Sequence, residues 1–433
     1  MTVSETLPRS GVGFSGFFRE AVFILPALGA TLLGIYVLSG AEPEYLNRLF
    51  LWQKQGIFAL LGLGIAFLVS RIPVPFLLSF APLLYAANLG LVAWVLTSGT
   101  VKGGARSWFE LGGFSYQPAE TMKIVAILFL AYLLTRGLKG RVTFPRMMIA
   151  VIAAALPSLL IFLQPDLGSA MIFPPILLAV LFGARVPRRY VTLILSPLWA
   201  VLAIPNEPLL WVVWGAGIGL WLVLLHLKGE RLSKLALFLV VQILLAGFMV
   251  KSDDLLWSKV LKPHHRDRLL GFVQTAEGST RDLTGSDYHL HQSLIAISSG
   301  GMTGQGLGEG MQSSHGFIPM MRTDFIFAVI AEELGFAGAM VLFLFLAWLL
   351  MNVSKCAGFA DTWGECVVVY GVLGMWTAHI FINIGMTMGL SPITGIPLPF
   401  VSYGGTSLVS NFVALGLVLS VYRRCRFHEN PFT

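Results

Sequence analysis

The sequence is poor in charge and in cysteine. Only 12% of its 433 residues are charged, whereas soluble domains carry about 25%. So little charge excludes an ordinary soluble surface, and the high hydrophobic content that accompanies it excludes a disordered chain. The three cysteines, Cys356, Cys366 and Cys425, lack the spacing of metal ligands and are too few for a disulfide scaffold.

The chain has long apolar blocks instead. Hydrophobic residues make up 56% of it, and the mean hydropathy is +0.78. The blocks run unbroken for roughly 17–25 residues, as membrane-crossing helices do, whereas the strands of a membrane barrel alternate apolar and polar residues. The sequence therefore predicts an all-α, polytopic membrane helix bundle of twelve spans. They are expected near residues 20–39, 54–70, 76–97, 119–136, 145–163, 168–184, 189–204, 208–227, 233–250, 323–350, 364–390 and 401–421.

The positive net charge of +7 is explained by topology better than by nucleic-acid binding. With both termini in the cytoplasm, 17 of the 29 Lys and Arg residues fall on the cytoplasmic side, as the positive-inside rule requires. The first block is followed by Ser39-Gly40-Ala41, which a signal peptidase could cut. Its apolar run over 21–38 exceeds the roughly 7–15 residues of a signal peptide, so a retained span is predicted.

A large extracytoplasmic loop is predicted at residues 251–322, between spans nine and ten. It carries five of the eight histidines and a glycine-dense stretch at 300–308. Loops of this length are usually functional. Its apolar run at 294–297 is expected either to dip into the membrane or to pack on the bundle. The histidines lack the spacing of zinc ligands, so a solvated loop is the favoured interpretation.

Ionisable residues at membrane depth are costly and are therefore functional candidates. Glu120 and Lys123 lie three residues apart at the start of the fourth span, on one helical face, where they are able to pair. The alternative is an ion pair that only joins two helices. Asp166 follows Pro165 at the end of the fifth span, where the alternative is a turn with an exposed carboxylate.

Acidic residues also mark the tenth span. Asp324 opens it, and the alternative to a functional carboxylate there is a helix N-cap. Glu332 and Glu333 follow, but at about 100° per residue the three acids cannot form one cluster. The prolines and glycines of residues 397–405 predict a broken or re-entrant helix, or more simply a tight turn before the last span.

Six motifs occur in order along the chain: Gly104-Ala105-Arg106-Ser107-Trp108, Gln117-Pro118-Ala119-Glu120, Gln164-Pro165-Asp166-Leu167-Gly168-Ser169-Ala170, Tyr288-His289 with Gln292-Ser293, Thr323-Asp324-Phe325-Ile326-Phe327-Ala328 with Glu332-Glu333-Leu334-Gly335, and Gly395-Ile396-Pro397-Leu398-Pro399-Phe400-Val401-Ser402-Tyr403-Gly404-Gly405. Together they resemble the SEDS family (shape, elongation, division and sporulation proteins), and more its elongation members than its division members. The resemblance covers nearly the whole chain, so a single membrane domain over residues 1–433 is expected.

The resemblance implies a peptidoglycan glycosyltransferase of the bacterial inner membrane that polymerises lipid II. Its implied partners are a class B penicillin-binding protein, which cross-links the strands, and other proteins of the elongation complex, but not nucleic acid. The catalytic residue of the family maps to Asp324, and substrate-binding positions are expected at Arg106, Trp108, Glu120, Lys123, Asp166, Arg266 and Arg268.

These residue types fit the implied chemistry. A carboxylate can act as general base on the acceptor hydroxyl that attacks the anomeric carbon, on the face opposite the leaving group in an inverting transfer. The departing lipid diphosphate needs cationic stabilisation, for which Arg106, Lys123, Arg266 and Arg268 are candidates. A divalent cation such as Mg²⁺ or Mn²⁺ is a further possibility.

The chain departs from the family pattern in two places. The family reads Pro-Glu-x-His before Thr-Asp, but here the stretch is Pro319-Met320-Met321-Arg322, so the role of that Glu and His is absent or is filled differently by Arg322. The family has ten spans, and the surplus predicts a two-helix insertion at 205–250. Two extra spans cross the membrane an even number of times, so the large loop and Asp324 are still expected on the extracytoplasmic side.

Two other classes of function stay open at this stage. Twelve spans with intramembrane charges and Pro/Gly breaks also suit a transporter, such as a lipid II flippase. The loops are unlike an inverted repeat, however, and the ionisable residues crowd towards the outer side. A non-catalytic scaffold for wall-synthesis proteins is the third hypothesis.

Overall fold

The computed structural model is a bundle of apolar helices with a small antiparallel sheet at one end. It describes residues 14–40, 50–102, 105–112, 114–137, 142–187, 286–314 and 320–425, and the single positions 191, 219 and 240. Within these residues, eight helices are long and apolar enough to cross a membrane. The elements are α1 (Phe14–Gly40), α2 (Leu51–Val69), α3 (Val74–Ser98), β1 (Thr100–Lys102), β2 (Ala105–Leu111), β3 (Phe114–Tyr116), α4 (Pro118–Thr135), α5 (Phe144–Leu163), α6 (Leu167–Met171), α7 (Phe173–Gly183), α8 (Ser286–Ser299), α9 (Met311–Ser314), α10 (Ile326–Glu333), α11 (Gly335–Gly358), α12 (Trp363–Thr387) and α13 (Gly405–Cys425).

The predicted helical bundle is confirmed where the structure describes it. The first five predicted spans correspond to α1–α5, and the last two correspond to α12 and α13. The total of twelve spans stays a prediction, as does the extent of the large loop. Apart from the three single positions, the predictions that lie outside the described residues are the spans at 189–204, 208–227 and 233–250, the insertion at 205–250, and loop residues 251–285 and 315–319.

The predicted sixth span, at 168–184, is two helices rather than one. α6 has only five residues, and α7 begins immediately after Ile172. Pro174 and Pro175 occupy the first turn of α7. Neither proline has a backbone N–H to donate to the preceding turn, so the helical ladder is interrupted at this point.

The predicted tenth span, at 323–350, is also interrupted. Gly335 has a φ of +65°, a left-handed conformation that ends α10 and starts α11. The first N–H groups of α11 need acceptors from outside the helix. The glycine-dense loop supplies them, because Gly301 O accepts from Phe336 N at 2.9 Å and Met302 O accepts from Ala337 N at 3.1 Å. Of α10 and α11, only α11 is therefore long enough to cross a bilayer.

Three helices form the centre of the bundle. In their membrane-crossing stretches, 67% of α4, 61% of α12 and 72% of α13 is buried, against 22% for both α2 and α3. The central helices carry buried polar side chains, whereas the outer ones present large apolar side chains on the outside. Polar groups in an apolar interior need fixed partners, so the contacts of the central helices define the candidate site.

The sheet and the irregular segments meet at one end of the bundle. The sheet is antiparallel, with Val101 opposite Arg106 and Phe109 opposite Tyr116. Its backbone is joined to the end of α5, since Arg106 N donates to Gln164 O at 3.2 Å. The run at 294–297 lies in α8, which packs on α10 and α12, so the packing alternative holds for this stretch.

Candidate active site

The chain between α12 and α13 is irregular and is held by protein side chains. Of the two predictions for residues 397–405, the structure shows the turn, because no helix forms before Gly405. Ser402 O accepts from Gln55 Nε2 at 2.9 Å, and Gly404 N donates to Gln55 Oε1 at 3.3 Å. Ser402 Oγ in turn accepts from Leu398 N at 2.8 Å. Irregular backbone is tolerated at membrane depth only with such internal partners.

This segment lies directly against the residues that precede α10. Tyr403 N donates to Arg322 O at 3.0 Å, and the Ser402 hydroxyl donates to Thr323 O. The main-chain O of Asp324 accepts from Asn383 Nδ2 at 2.8 Å. Two stretches that are about 80 residues apart in sequence therefore form one surface.

Asp324 does not cap a helix. The N-cap position of α10 is Phe325, and Asp324 lies in the preceding turn, where its N–H donates to Met320 O at 3.0 Å. Its carboxylate is half-buried and faces Gly395, where an added Cβ would lie 3.1 Å from Oδ2. The glycine thus leaves room beside the carboxylate, and the capping alternative is wrong.

Glu120 and Lys123 form the ion pair expected from their spacing. Lys123 Nζ lies 2.8 Å from Glu120 Oε1 and 3.0 Å from Nε2 of His379 on α12. All three side chains are buried, with Lys123 only 2% exposed. The opposite ring nitrogen of His379 lies 3.2 Å from Pro397 O. A continuous polar chain therefore runs from α4 to the irregular segment.

Asp166 is held in place by donors. It caps α6, accepting from Ser169 N at 3.0 Å and from the Ser169 hydroxyl at 2.9 Å, and it also accepts from Gln117 Nε2 at 2.8 Å. Desolvation raises the pKa of the Asp166 carboxyl, and the bonds from Ser169 oppose that shift. The adjoining Gly168 packs against Thr394 O. The alternative of an exposed turn carboxylate is therefore not what the structure shows.

Arg106 and Trp108 lie on β2 at the rim of the bundle. The Arg106 side chain is exposed and donates to Thr97 O at 3.2 Å, while Trp108 is half-buried. Arg266 and Arg268 lie outside the described residues. Of the predicted cations, Arg106 is open to an incoming ligand, and Lys123 is enclosed.

Glu332 and Glu333 belong to a different cluster, as their spacing from Asp324 predicted. Glu332 accepts from Gln312 N at 2.7 Å and Ser313 N at 3.0 Å, and Glu333 Oε1 accepts from the Ser313 hydroxyl at 3.1 Å. These bonds anchor α9 and the glycine-dense loop to α10. Within the described ranges, no group of three or more His, Cys, Asp or Glu side chains is arranged to hold a metal ion.

Sequence reasoning missed His379 and Asn383. Both lie in an apolar stretch of α12 without a motif around them, and the only signal was a polar side chain at membrane depth. The structure shows that they join α4, the residues before α10 and segment 394–397.

The chain is similar to known proteins over nearly its whole length. The family model described as FtsW/RodA/SpoVE, cell cycle protein, matches residues 19–214 and 209–426. A Treponema pallidum protein named peptidoglycan glycosyltransferase RodA is 33% identical, over 95% of this chain and 99% of that protein. A Thiomicrospira cyclica protein named probable peptidoglycan glycosyltransferase FtsW is 31% identical, over 94% and 92%. Among solved structures, a chain described under the structural coordination of polymerization and crosslinking by a peptidoglycan synthase complex aligns with a TM-score of 0.65 at 27% identity, over 93% of this chain and 97% of that one.

Proposed function

Because the chain belongs to the FtsW/RodA/SpoVE family, we propose that it is a peptidoglycan glycosyltransferase that polymerises lipid II into glycan strands during cell elongation. Support comes from relatives that match almost its full length and are named peptidoglycan glycosyltransferases. The observation that carries the site assignment is the half-buried carboxylate of Asp324, which faces Gly395 beside the irregular segment.

Asp324 acts as the general base. The sugar hydroxyl of the acceptor loses its proton to the carboxylate while its oxygen bonds to the anomeric carbon of the donor, and the bond to the lipid diphosphate breaks. Inversion places the base on the face opposite the leaving group. The backbone of Asp324 is fixed by Asn383 and Met320, which keeps the carboxylate in reach without rearrangement.

The diphosphate is met by exposed cations. Arg106 on β2 is exposed, so its guanidinium can stabilise the charge that develops on the leaving group. Trp108 on the same strand contacts the sugar–lipid boundary, and Arg266 and Arg268 complete the cationic set.

The remaining predicted site residues contact the protein around the substrate site and hold it in place. They are Asp166, Glu120 and Lys123. Asp166 fixes the start of α6 against segment 394–397 through Gly168. Lys123 has its ammonium enclosed between Glu120 and His379, which disfavours direct contact with the diphosphate.

The setting follows from the substrate. The protein lies in the inner membrane with both termini in the cytoplasm, so that Asp324 faces outward, where a lipid-linked sugar would be polymerised. A class B penicillin-binding protein is the partner that cross-links the strands. Support comes from the similar chain described within a peptidoglycan synthase complex that coordinates polymerization and crosslinking.

The decisive experiment compares the wild type with Asp324→Asn. The purified full-length chain, alone and with its partner, is incubated with fluorescent lipid II, and glycan polymer is separated on a gel. We expect polymer from the wild type and a loss of at least about a hundredfold in the variant, because a positioned general base contributes 10²–10⁴-fold.

Asp361→Asn is the matched control. Asp361 is an exposed carboxylate in the turn before α12, at the opposite end of that helix from Asn383, and its variant is expected to keep full activity. Normal polymer from Asp324→Asn would overturn the base assignment. Lipid II flipping in liposomes without any polymer from the wild type would overturn the enzyme assignment in favour of a transporter.

A further inference from the structure

Two buried polar residues lie one turn apart on α12. His379 is 2% exposed and Asn383 is fully buried, both on α12. Residues four apart on a helix share a face. Burying these groups costs free energy unless each of them is hydrogen-bonded. Their hydrogen-bond partners therefore indicate which parts of the structure they hold together.

The partners of His379 fix its protonation pattern. The Lys123 ammonium can only donate, and it lies 3.0 Å from Nε2, so Nε2 is the acceptor. The hydrogen of the neutral ring is then on Nδ1, which faces the carbonyl O of Pro397 at 3.2 Å. Glu120 holds the ammonium from the other side at 2.8 Å. The ion pair thereby orients an N–H towards the irregular segment.

The partners of Asn383 are two carbonyls. Its amide nitrogen donates to Ile396 O at 2.6 Å and to Asp324 O at 2.8 Å. Both acceptors are main-chain oxygens, so the amide orientation is fixed by its partners. One side chain therefore ties the proposed base to segment 394–397, the same segment that His379 holds one residue further on.

We propose that Glu120, Lys123, His379 and Asn383 are positioning residues. They fix the position of Asp324 by holding segment 394–397 through hydrogen bonds from α12. The proposal rests on the assignment of Asp324 as the general base. It gives the buried ion pair a role other than diphosphate binding. Glu120 and Lys123 orient His379, while His379 and Asn383 bond the main-chain carbonyls of Pro397, Ile396 and Asp324. Gly395, between Thr394 and Ile396, is the residue that faces the carboxylate.

Two substitutions of His379 separate this role from substrate contact. In His379→Asn the amide nitrogen is the same number of bonds from Cα as Nδ1, so it can still donate to Pro397 O, but it no longer offers Lys123 an acceptor. In His379→Gln the amide oxygen is placed like Nε2, so it can still accept from Lys123, but the bond to Pro397 is lost.

Initial rates of lipid II polymerisation by the full-length chain are measured over a range of lipid II concentrations. We expect His379→Asn to keep kcat within about threefold of the wild type, and His379→Gln to lose about tenfold or more, with KM unchanged in both, because small displacements of a catalytic group lower the rate steeply. A raised KM, or a kcat for His379→Gln equal to or above that of His379→Asn, would overturn the proposal in favour of substrate contact by the ion pair.

Asn383→Asp covers the case in which neither His379 variant folds. It keeps the volume of the side chain and replaces the donors facing two carbonyls, and we expect kcat to fall at least tenfold with KM unchanged. A wild-type kcat in this variant would also refute the proposal. Asp324→Asn is run in parallel: activity in that variant means that the base assignment has failed, whereas an inactive Asp324→Asn beside wild-type kinetics in the other variants means that only the positioning role has failed.

Discussion

Gly395→Ala tests the space beside the proposed base. Gly395 has a φ of +73°, and an added Cβ would lie 3.1 Å from Oδ2 of Asp324 and 3.9 Å from its Cγ. The substitution thus has two separable effects, which are backbone strain at a left-handed position and a new contact with the carboxylate.

The two effects have different sizes. A left-handed conformation costs a non-glycine residue about 1–2 kcal/mol, which lowers the free energy of unfolding by that amount. The new contact requires the Asp324 carboxylate to move by a few tenths of an ångström. Since a misplacement of about 1 Å costs about a hundredfold in rate, a shift of about 0.3 Å corresponds to a fourfold loss of kcat, and we expect about threefold to tenfold.

Gly389→Ala is the matched control, because it shares the strain and lacks the contact. Gly389 has a φ of +74°, and its added Cβ would meet only Leu290 side-chain atoms at 3.5 and 3.6 Å, an ordinary contact distance. Thermal unfolding in detergent and lipid II polymerisation are measured for both variants. We expect similar losses of stability and a loss of kcat in Gly395→Ala alone. Equal kcat in the two variants would show that the space beside Asp324 does not matter for the reaction.

Two further substitutions test the supports of the site. Asp166→Ala removes both oxygens that accept from Ser169 and Gln117, so we expect a loss of about 0.5–2 kcal/mol in the free energy of unfolding, and unchanged stability would contradict the capping role. In Gly300→Ala the added Cβ would lie 1.9 Å from Ala331 O, so the glycine-dense loop cannot stay on α10. We expect a loss of about 3 kcal/mol or more, read from thermal unfolding, and a wild-type melting temperature would refute the packing of that loop.

The parts of the molecule that sequence predicts are those set by local patterns. Helix α5 follows from an apolar block of the right length, and the Glu120–Lys123 pair follows from their spacing on one helical turn. Asp324 was found through its motif. Each of these signals lies within a few residues of the chain.

The parts that sequence did not predict depend on contacts between distant residues. His379 meets Lys123 across 256 positions, and Gln55 reaches Ser402 across 347. Neither pairing produces a periodic pattern in the sequence that would predict it. The break at Gly335 was missed for a similar reason, since the acceptors that permit it come from the loop at Gly301 and Met302. Hydropathy reports where a chain can be buried, but not which buried polar groups meet.

The unequal burial of the helices bears on how the protein tolerates bilayers of different thickness. A span that mostly faces lipid absorbs hydrophobic mismatch by tilting, at a cost of fractions of a kcal/mol per ångström. Helices α2 and α3, with 22% of their crossing stretches buried, are of this kind, whereas α4, α12 and α13 are enclosed on most sides. Changes of membrane thickness are thus taken up first at the perimeter, and they are passed on towards Asp324 through Gln55 of α2, which holds Ser402 O and Gly404 N.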